Sequence, residues 1–527
     1  MKRLQTLFGI ILLSTFFACE KNSTNQEAQN TESKLISNSY RHRFFEDDQR
    51  VEKVKAAASE IHQLMQDHAK SLKLPGLAYG FVVDNQLVLD SAIGFLNLDE
   101  KIPATTQSAF RIASMTKSFT AMAVLKLRDE GKLSLEDPVE KFIPEMANIK
   151  YPTSDSPAID IENLMTMTAG FPEDNPWGDR QLDEPDQMLI DLVDEGISFS
   201  NPPSFTYEYS NTGYALLGHI ISKVSGESYQ EYITKNILQP LGMDNTYWEY
   251  ENVPKEHLAI GYRWEHQQWK PEPMLHDGSY GAMGGLITTI EDFSKYVSFH
   301  LSAWPPRSEP QDGPLGRGTL REMHTPQFSR LYAQSTDWNN VDCPVMTGYG
   351  YGLSITMDCQ GIKQVRHGGA LPGFGSSYIF YPEYGLGVMA FCNLTYTPAM
   401  PTDQIKKLLF NDLELQKRIL PASDILLKRK EQVAELILSW NPDLEDEIIA
   451  ENFYLDKSRE DRISEINLIL SEVGELGEMG EMKVFNQLRG SFDWPGSTDT
   501  LEVFFTLTPE KEPKIQYLNV SIKGDDN

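Results

Sequence analysis

Between residues 113 and 130 the apolar side chains Met115, Phe119, Met122, Ala123, Leu125 and Leu127 recur at close to helical spacing, and Gly131 follows them. A period near 3.6 with a glycine at its end predicts a buried helix that stops there. The stretch 51–72 carries a similar period and predicts another helix upstream. Between the two, the apolar runs 76–83 and 87–89 are separated by Asp84 and Asn85, which predicts a pair of antiparallel strands joined by a tight turn. Further along, 131–138 has the composition of a loop, and 161–170 predicts a short helix closed by Gly170. The stretch 205–226 opens as a polar turn and becomes an amphipathic helix, whereas 364–381 is a glycine-rich edge leading into an apolar strand, with 386–391 as the next strand.

Past about residue 420 the texture changes. An amphipathic helix with both charge signs covers 423–440 and another helix lies near 461–473. Alternating strand patterns follow at 482–485, 501–507 and 515–521. This predicts a small separate α+β domain over 420–527, with no catalytic constellation of its own. No internal repeat is visible.

The 527 residues exceed one compact domain, and 40% hydrophobic residues suffice for a sizeable core. A formal net charge of -29 argues against a nucleic-acid partner, because phosphate binding needs clustered Lys and Arg. At the start of the chain Lys2 and Arg3 precede the apolar run 7–13, and Phe16, Ala18 and Cys19 close it. That run has the layout of a secretory signal and is too short to span a bilayer. Small Ala18 directly before Cys19 resembles a bacterial lipobox, although Phe16 stands where leucine is usual. Residues 1–19 are accordingly expected to be a lipoprotein signal with Cys19 as the acylated terminus, giving an exported, membrane-anchored protein. Residues 20–50, nearly without apolar side chains at first, are expected to form a disordered tether. The main domain is then expected over 51–415.

Three cysteines remain. Cys343 and Cys359 flank the Gly348–Gly352 segment and can face each other across neighbouring strands, while Cys392 sits in an apolar strand. No metal-ligand spacing occurs, so neither a metal nor another cofactor is implied.

The chemistry-bearing residues lie on the predicted elements. Ser114 falls in the first turn of the 113–130 helix, and Lys117, three residues later, emerges on the same face. A serine hydroxyl needs a base, and a lysine serves as one when burial or nearby cations depress its pKa. The helix start also supplies free N–H groups and the positive dipole end where an oxyanion would form. Ser-x-x-Lys alone is a common accident of composition. Taken singly, Tyr209 reads as a packing aromatic, Asn211 as the cap of the helix after Thr212, and His367 as a loop histidine. A Gly-x-Ser-x-Gly elbow, which the α/β-hydrolase alternative requires, is absent from the sequence.

In this order, Ser114-Met-Thr-Lys117, Tyr209-Ser-Asn211 and His367-Gly-Gly369 resemble the three motifs of the serine β-lactamase and penicillin-binding-protein superfamily, in particular its class C-like and esterase-like branch. The segments 135–138, 164–170 and 238–243 agree with it. The resemblance implies a mixed α+β fold, an antiparallel sheet flanked by helices plus an all-helical region, with the active site between them. It further implies Ser114 as the acylated nucleophile, Lys117 as its proton partner and Tyr209 as general base and acid. Asn211, His367 and Gly369 would line the substrate site, and the N–H groups of Ser114 and Ala370 would hold the oxyanion.

Two residues depart from the family pattern. His367 stands where β-lactamases and transpeptidases carry the lysine of Lys-Thr-Gly, and Met167 stands where relatives commonly have histidine. Without that lysine a substrate carboxylate finds a cation only when the imidazole is protonated, and the usual histidine pKa of about 6.5 makes that fraction small at neutral pH, rising as pH falls. The expected activity is hydrolysis of an ester, amide or D-amino-acyl peptide through an acyl-enzyme. The alternatives are a β-lactamase or D-Ala-D-Ala carboxypeptidase, and a surface sensor or binding protein on the same scaffold that does not turn substrate over.

Overall fold

The computed structural model describes residues 40–524, which fall into two compact units: residues 43–419, and residues 40–42 together with 420–524. Cys19 and residues 20–39 of the expected tether lie outside the described residues. Pairing begins ahead of the expected domain start. Phe44 bridges Ile419, Phe45 lies between the guanidinium groups of Arg50 and Arg418, and buried Arg50 donates to the carbonyls of Gln416 and Tyr384. A cation with two carbonyl acceptors and an aromatic face is satisfied where it is buried, which fixes this end of the chain.

The elements that frame the site are, in order, helices α1 (Arg50–Ala56) and α2 (Ala58–Leu72), then strands β1 (Gly76–Val83), β2 (Gln86–Asn97) and β3 (Ile102–Pro103). Helices α3 (Thr116–Asp129), α4 (Asn211–Ser225) and α5 (Ile290–Leu301) follow. Strands β4 (Phe328–Ala333), β5 (Val345–Tyr349), β6 (Ser354–Met357), β7 (Lys363–Leu371), β8 (Phe374–Tyr381) and β9 (Leu386–Cys392) complete the set. They form one nine-stranded antiparallel sheet in the order β3-β2-β1-β9-β8-β7-β6-β5-β4. The strand β1 is buried at every residue because both faces of the sheet are covered: Ala78 and Val82 join the core with α3, α4 and α5, while Leu77, Tyr79, Phe81 and Val83 join a second core with α1 and α2. An unbroken apolar run is what such a strand requires. The turn at Asp84 (φ 50) and Asn85 (φ 66) has the left-handed pair a tight hairpin needs.

Several element boundaries differ from the sequence pattern. The expected helix 51–72 is two helices, since Ala57 (φ -81, ψ 4) leaves the helical basin between them. The helix expected over 161–170 ends at Met165, because Met167 turns into the left-handed region (φ 59) and is held there as part of the core. Cys343 and Cys359 form a disulfide with Cα atoms 5.2 Å apart, and Cys392 is a buried free thiol.

The C-terminal unit has its own core. Helices α6 (Asp424–Ser439), α7 (Pro442–Ile448) and α8 (Arg459–Val473) accompany an antiparallel sheet of β10 (Lys483–Asn486), β11 (Arg489–Pro495), β12 (Thr500–Leu507) and β13 (Ile515–Ile522). Along β12 the inward residues Leu501, Val503, Phe505 and Leu507 alternate with Thr500, Glu502, Phe504 and Thr506. Among the described residues no helix is long and apolar enough to cross a membrane.

Candidate active site

Ser114 sits in a single tight helical turn, Ala113–Met115, that leads directly into α3. The residue before it, Ala113, has φ 51, a conformation that costs a non-glycine residue about 1–3 kcal/mol. Its neighbours hold it there: Arg111 pairs with Ile287, the N–H of Ile112 donates to the carbonyl of Leu286, and the carbonyl of Ile112 accepts from Ser376 Oγ at 2.7 Å. The strand β7 presses against the same turn. A Cβ on Gly369 would lie 2.2 Å from the carbonyl oxygen of Ile112, so only glycine permits this approach. The pairing of β6 with β7 ends at the Ser354–Arg366 pair, which leaves the edge of β7 from His367 onward open towards Ser114.

Lys117 is fully buried, and its Nζ has three neighbours: Ser114 Oγ at 3.0 Å, Asn211 Oδ1 at 2.7 Å and the carbonyl of Met283 at 3.0 Å. Burial pulls its pKa down to about 7, while the charges of Asp179 and Asp174 pull the other way. A neutral amine has two N–H donors and one lone pair. The carbonyl oxygens of Asn211 and Met283 can only accept, so they take both donors and leave the lone pair for the Ser114 hydroxyl. Tyr209, half-buried, places its ring 4.9 Å from Nζ. Its phenol is held well above the usual pKa by burial, opposed by the hydrogen bond with Ser114, and stays protonated at neutral pH. Of the two groups flanking Ser114, the amine is therefore suited to take a proton and the phenol to give one.

His367 is buried, and both its nitrogens are engaged. Nδ1 lies 2.5 Å from the carbonyl of Gly368 and must donate, so Nε2 is unprotonated and accepts from the Tyr349 hydroxyl at 3.2 Å. Burial, helped by the charge of Lys117, pushes its pKa down to about 4. The sequence expectation of an imidazole that gains charge as pH falls towards 5.5 is thus corrected: it stays neutral across that range.

Asn211 also differs from the expectation. The cap of α4 is Ser210, whose hydroxyl accepts from the N–H of Gly213, and Asn211 is the first helical residue. Its amide is committed within the protein, with Oδ1 accepting from Lys117 and Nδ2 donating to Asn175 Oδ1 at 2.7 Å. Sequence reasoning missed what supports it. The carboxylate of Asp174 accepts from the N–H groups of Asn211 (2.7 Å) and Thr212 (2.8 Å) and from Thr212 Oγ1, so it neutralises the free donors at the start of α4. Buried Asp179 accepts from the Tyr396 hydroxyl at 3.1 Å and lies near Lys117, with its own pKa raised chiefly by burial. Both come from a loop whose sequence, Asp-Asn-Pro-Trp-Gly-Asp, offers a turn signal and no reading of its partners. The carbonyl of Met167 accepts from the N–H of Glu208 and so anchors the chain just before Tyr209.

One cleft of about 440 Å³ is lined by Ser114, Asn175, Asp179, Tyr209, His367–Ala370 and the 396–398 segment, and Lys117 and Asn211 lie behind it, hydrogen-bonded to Ser114 and Asn175. Ser114, Lys117, Tyr209, Asn211, His367, Gly369 and Ala370 thus meet in a single place. The arrangement combines a hydroxyl, a buried amine whose pKa is drawn down to about 7, a phenol donor and an open strand edge, which is the equipment for acyl transfer. Among the described residues no group of His, Cys, Asp or Glu is arranged to hold a metal ion.

Comparison with known proteins identifies the family and the fold. A family model described as Beta-lactamase matches residues 61–411. Protein flp of Staphylococcus aureus (strain NCTC 8325 / PS 47) is 30% identical over 346 residues, 64% of this chain and 63% of that protein. Beta-lactamase-like protein 2 of Dictyostelium discoideum is 31% identical over 301 residues, 53% of this chain and 54% of that protein. The chain thus spans less than two thirds of the length of these relatives. Among solved structures, an octameric penicillin-binding protein homologue from Pyrococcus abyssi is similar with a TM-score of 0.56 and 25% identity, covering 88% of this chain and 95% of that one. A penicillin-binding protein from Bacillus halodurans is similar with a TM-score of 0.51 and 25% identity, covering 65% of this chain and 98% of that one.

Proposed function

The chain belongs to the β-lactamase family, whose members are generally serine hydrolases, and we propose that it hydrolyses a neutral ester, amide or D-amino-acyl peptide through an acyl-enzyme on Ser114. The observation that carries this reading is the pairing of Ser114 Oγ with a buried Lys117 amine 3.0 Å away whose pKa is drawn down to about 7. In the proposed cycle Lys117 Nζ takes the hydroxyl proton as Oγ attacks the carbonyl carbon. The oxyanion is stabilised by the N–H groups of Ser114 and Ala370. Tyr209 gives its proton to the leaving oxygen or nitrogen and is reprotonated from Lys117. Water then attacks the acyl-enzyme by the same path in reverse, which returns Ser114 and releases the acid.

Preference for neutral substrates is supported by His367, since a buried neutral imidazole supplies no charge for the carboxylate of a β-lactam. Ser114→Ala is expected to abolish labelling by a fluorophosphonate probe and ester turnover with the melting temperature unchanged. Residual turnover above a few per cent in a folded variant would remove Ser114 from the mechanism. A stoichiometric burst without turnover, on any ester tested, would identify an acylating receptor instead.

We also propose that the chain is exported and anchored through a lipid on Cys19, a reading supported by the sequence of residues 1–19 alone. A palmitate analogue fed to expressing cells should label wild type and spare Cys19→Ala; equal labelling of both would refute it.

A further inference from the structure

The cleft around Ser114 does not end at His367. Tyr209, His367, Gly368 and Ser377 are shared with an adjoining pocket of about 380 Å³, and that pocket in turn shares Tyr207, Tyr349 and Ser354 with a third recess. The three therefore adjoin, in a series that runs from Ser114 past the end of the β6–β7 pairing to the face of β5. Its far end is lined by Tyr207, Phe328, Thr347, Gly348, Tyr349 and Ser354 and holds about 160 Å³. That is close to the ~150 Å³ at which an apolar engineered cavity admits benzene.

The walls of the recess are built to stay open. Tyr349 is buried with its hydroxyl tied to His367 Nε2, and the ring of half-buried Tyr207 lies 5.4 Å from it at 48°. Gly348 cannot lose its close approach, because a Cβ there would lie 2.6 Å from the carbonyl oxygen of Phe328 and from Pro326. Aromatic walls at this angle favour a third ring inserted edge-on or offset. Midway along the groove the guanidinium of Arg366 is exposed and, among the described residues, has no hydrogen bond or ion pair. It offers donors to oxygen atoms in whatever connects the two ends.

We infer that this recess is a specificity subsite for an aryl group of the substrate, so that the natural substrate is an elongated ester or amide carrying a phenyl-sized ring at a fixed distance from the carbonyl that Ser114 attacks. The inference rests on the serine-hydrolase reading for its chemistry and on the groove for its length. Tyr207 and Tyr349 select the ring, and Tyr349 also ties the occupied recess to His367 at the edge of the catalytic cleft.

The test is binding of methyl ω-phenylalkanoates with two to six methylene groups to the full-length Ser114→Ala protein, compared with methyl alkanoates matched in carbon number. A ring that must reach one recess gives a step at one spacer length, at least tenfold over its matched alkanoate. Non-specific hydrophobic binding gives a smooth rise instead. Thr347→Trp fills the recess from β5 and should erase the step; Ser354→Leu, from the neighbouring strand β6, decides if the first variant fails to fold. A smooth rise in Ser114→Ala, or a step that survives in a folded filling variant, would overturn the subsite. The hydrolase reading fails separately, by absence of fluorophosphonate labelling in wild type whether or not the step is seen.

Discussion

At the scale of single residues, the site turns on where protons reside at neutral pH. With Lys117 drawn down to about 7, its amine is half deprotonated at pH 7, and the base form grows as pH rises. Acylation, read as kcat/KM for a neutral ester, should climb tenfold per unit below about pH 7 and level off above it. Asp179 opposes the depression through its negative charge, so Asp179→Asn should move that limb to lower pH. A limb that stays in place or moves upward would show that Asp179 does not act on Lys117. His367 gives a different signature. At about 4, it is only a few per cent protonated at pH 5.5. The ratio of kcat/KM for nitrocefin to that for a p-nitrophenyl ester should therefore be flat from pH 5.5 to 8 in wild type. In His367→Lys a permanent cation can arise only if the new amine escapes the same burial, and the expected result is a ratio raised at least tenfold at low pH, where the lysine is charged. A ratio in wild type that already rises several-fold on acidification would contradict the neutral, doubly bonded imidazole.

At the scale of elements, α4 is held at its start by two acceptors, Ser210 on the N–H of Gly213 and Asp174 on Asn211 and Thr212. Replacing Asp174 with alanine leaves two buried N–H groups without their acceptor, the Thr212 hydroxyl keeping Tyr280 as a partner, and removes an anion from the positive end of the helix. That should cost about 1–3 kcal/mol of stability. Because Asn211 then loses its anchor while still bonded to Lys117, ester kcat should fall more than KM changes. Asp174→Asn, which keeps one acceptor, should recover part of both losses. Equal activity in Asp174→Ala and wild type would separate the cap from the site.

The same helix explains what could be read from sequence and what could not. The helix carrying Ser114 and Lys117, the hairpin of β1 and β2, and the β8 and β9 strands were legible because each buries a continuous or periodic apolar face. Ser210 and Asn211 are both good caps by type, so the sequence does not separate them; in the structure the Ser210 hydroxyl takes the Gly213 N–H and Asp174, from a distant loop, takes those of Asn211 and Thr212. The break at Ala57 left no mark in the pattern, since the flanking apolar residues stay in register with a single helix. The strand β11 was missed for a related reason: Arg489, Gly490, Ser491 and Asp493 hide its two inward aromatics, Phe492 and Trp494.

At the scale of the whole molecule, the two units have separate cores, and every side chain of the candidate site belongs to residues 43–419. The residues that hold those side chains, Asp174, Met283, Leu286, Tyr349 and Ser376, belong to the same unit. So does the closure of its ends, in which Phe44 pairs with Ile419 and Arg50 caps the Gln416 carbonyl. The C-terminal unit in turn takes in Arg41, which pairs with Asp424 and hydrogen-bonds Gln487, so its fold includes a short piece of chain from before residue 43. A chain spanning 43–419 should then unfold in one cooperative transition and keep ester kcat/KM within about twofold of the full-length protein, since nothing that positions Ser114, Lys117 or Tyr209 has been removed. A chain ending at residue 415 should do worse, because it lacks the Gln416 carbonyl that satisfies Arg50, the Arg418 that stacks on Phe45 and the Ile419 that pairs with Phe44. Leaving Arg50 buried with an unmet donor costs about 1–3 kcal/mol on its own. The measurement is melting temperature and kcat/KM for the full chain, 43–419 and 43–415 side by side. A tenfold or greater loss of activity in a folded 43–419 protein would mean that the C-terminal unit contributes to the site.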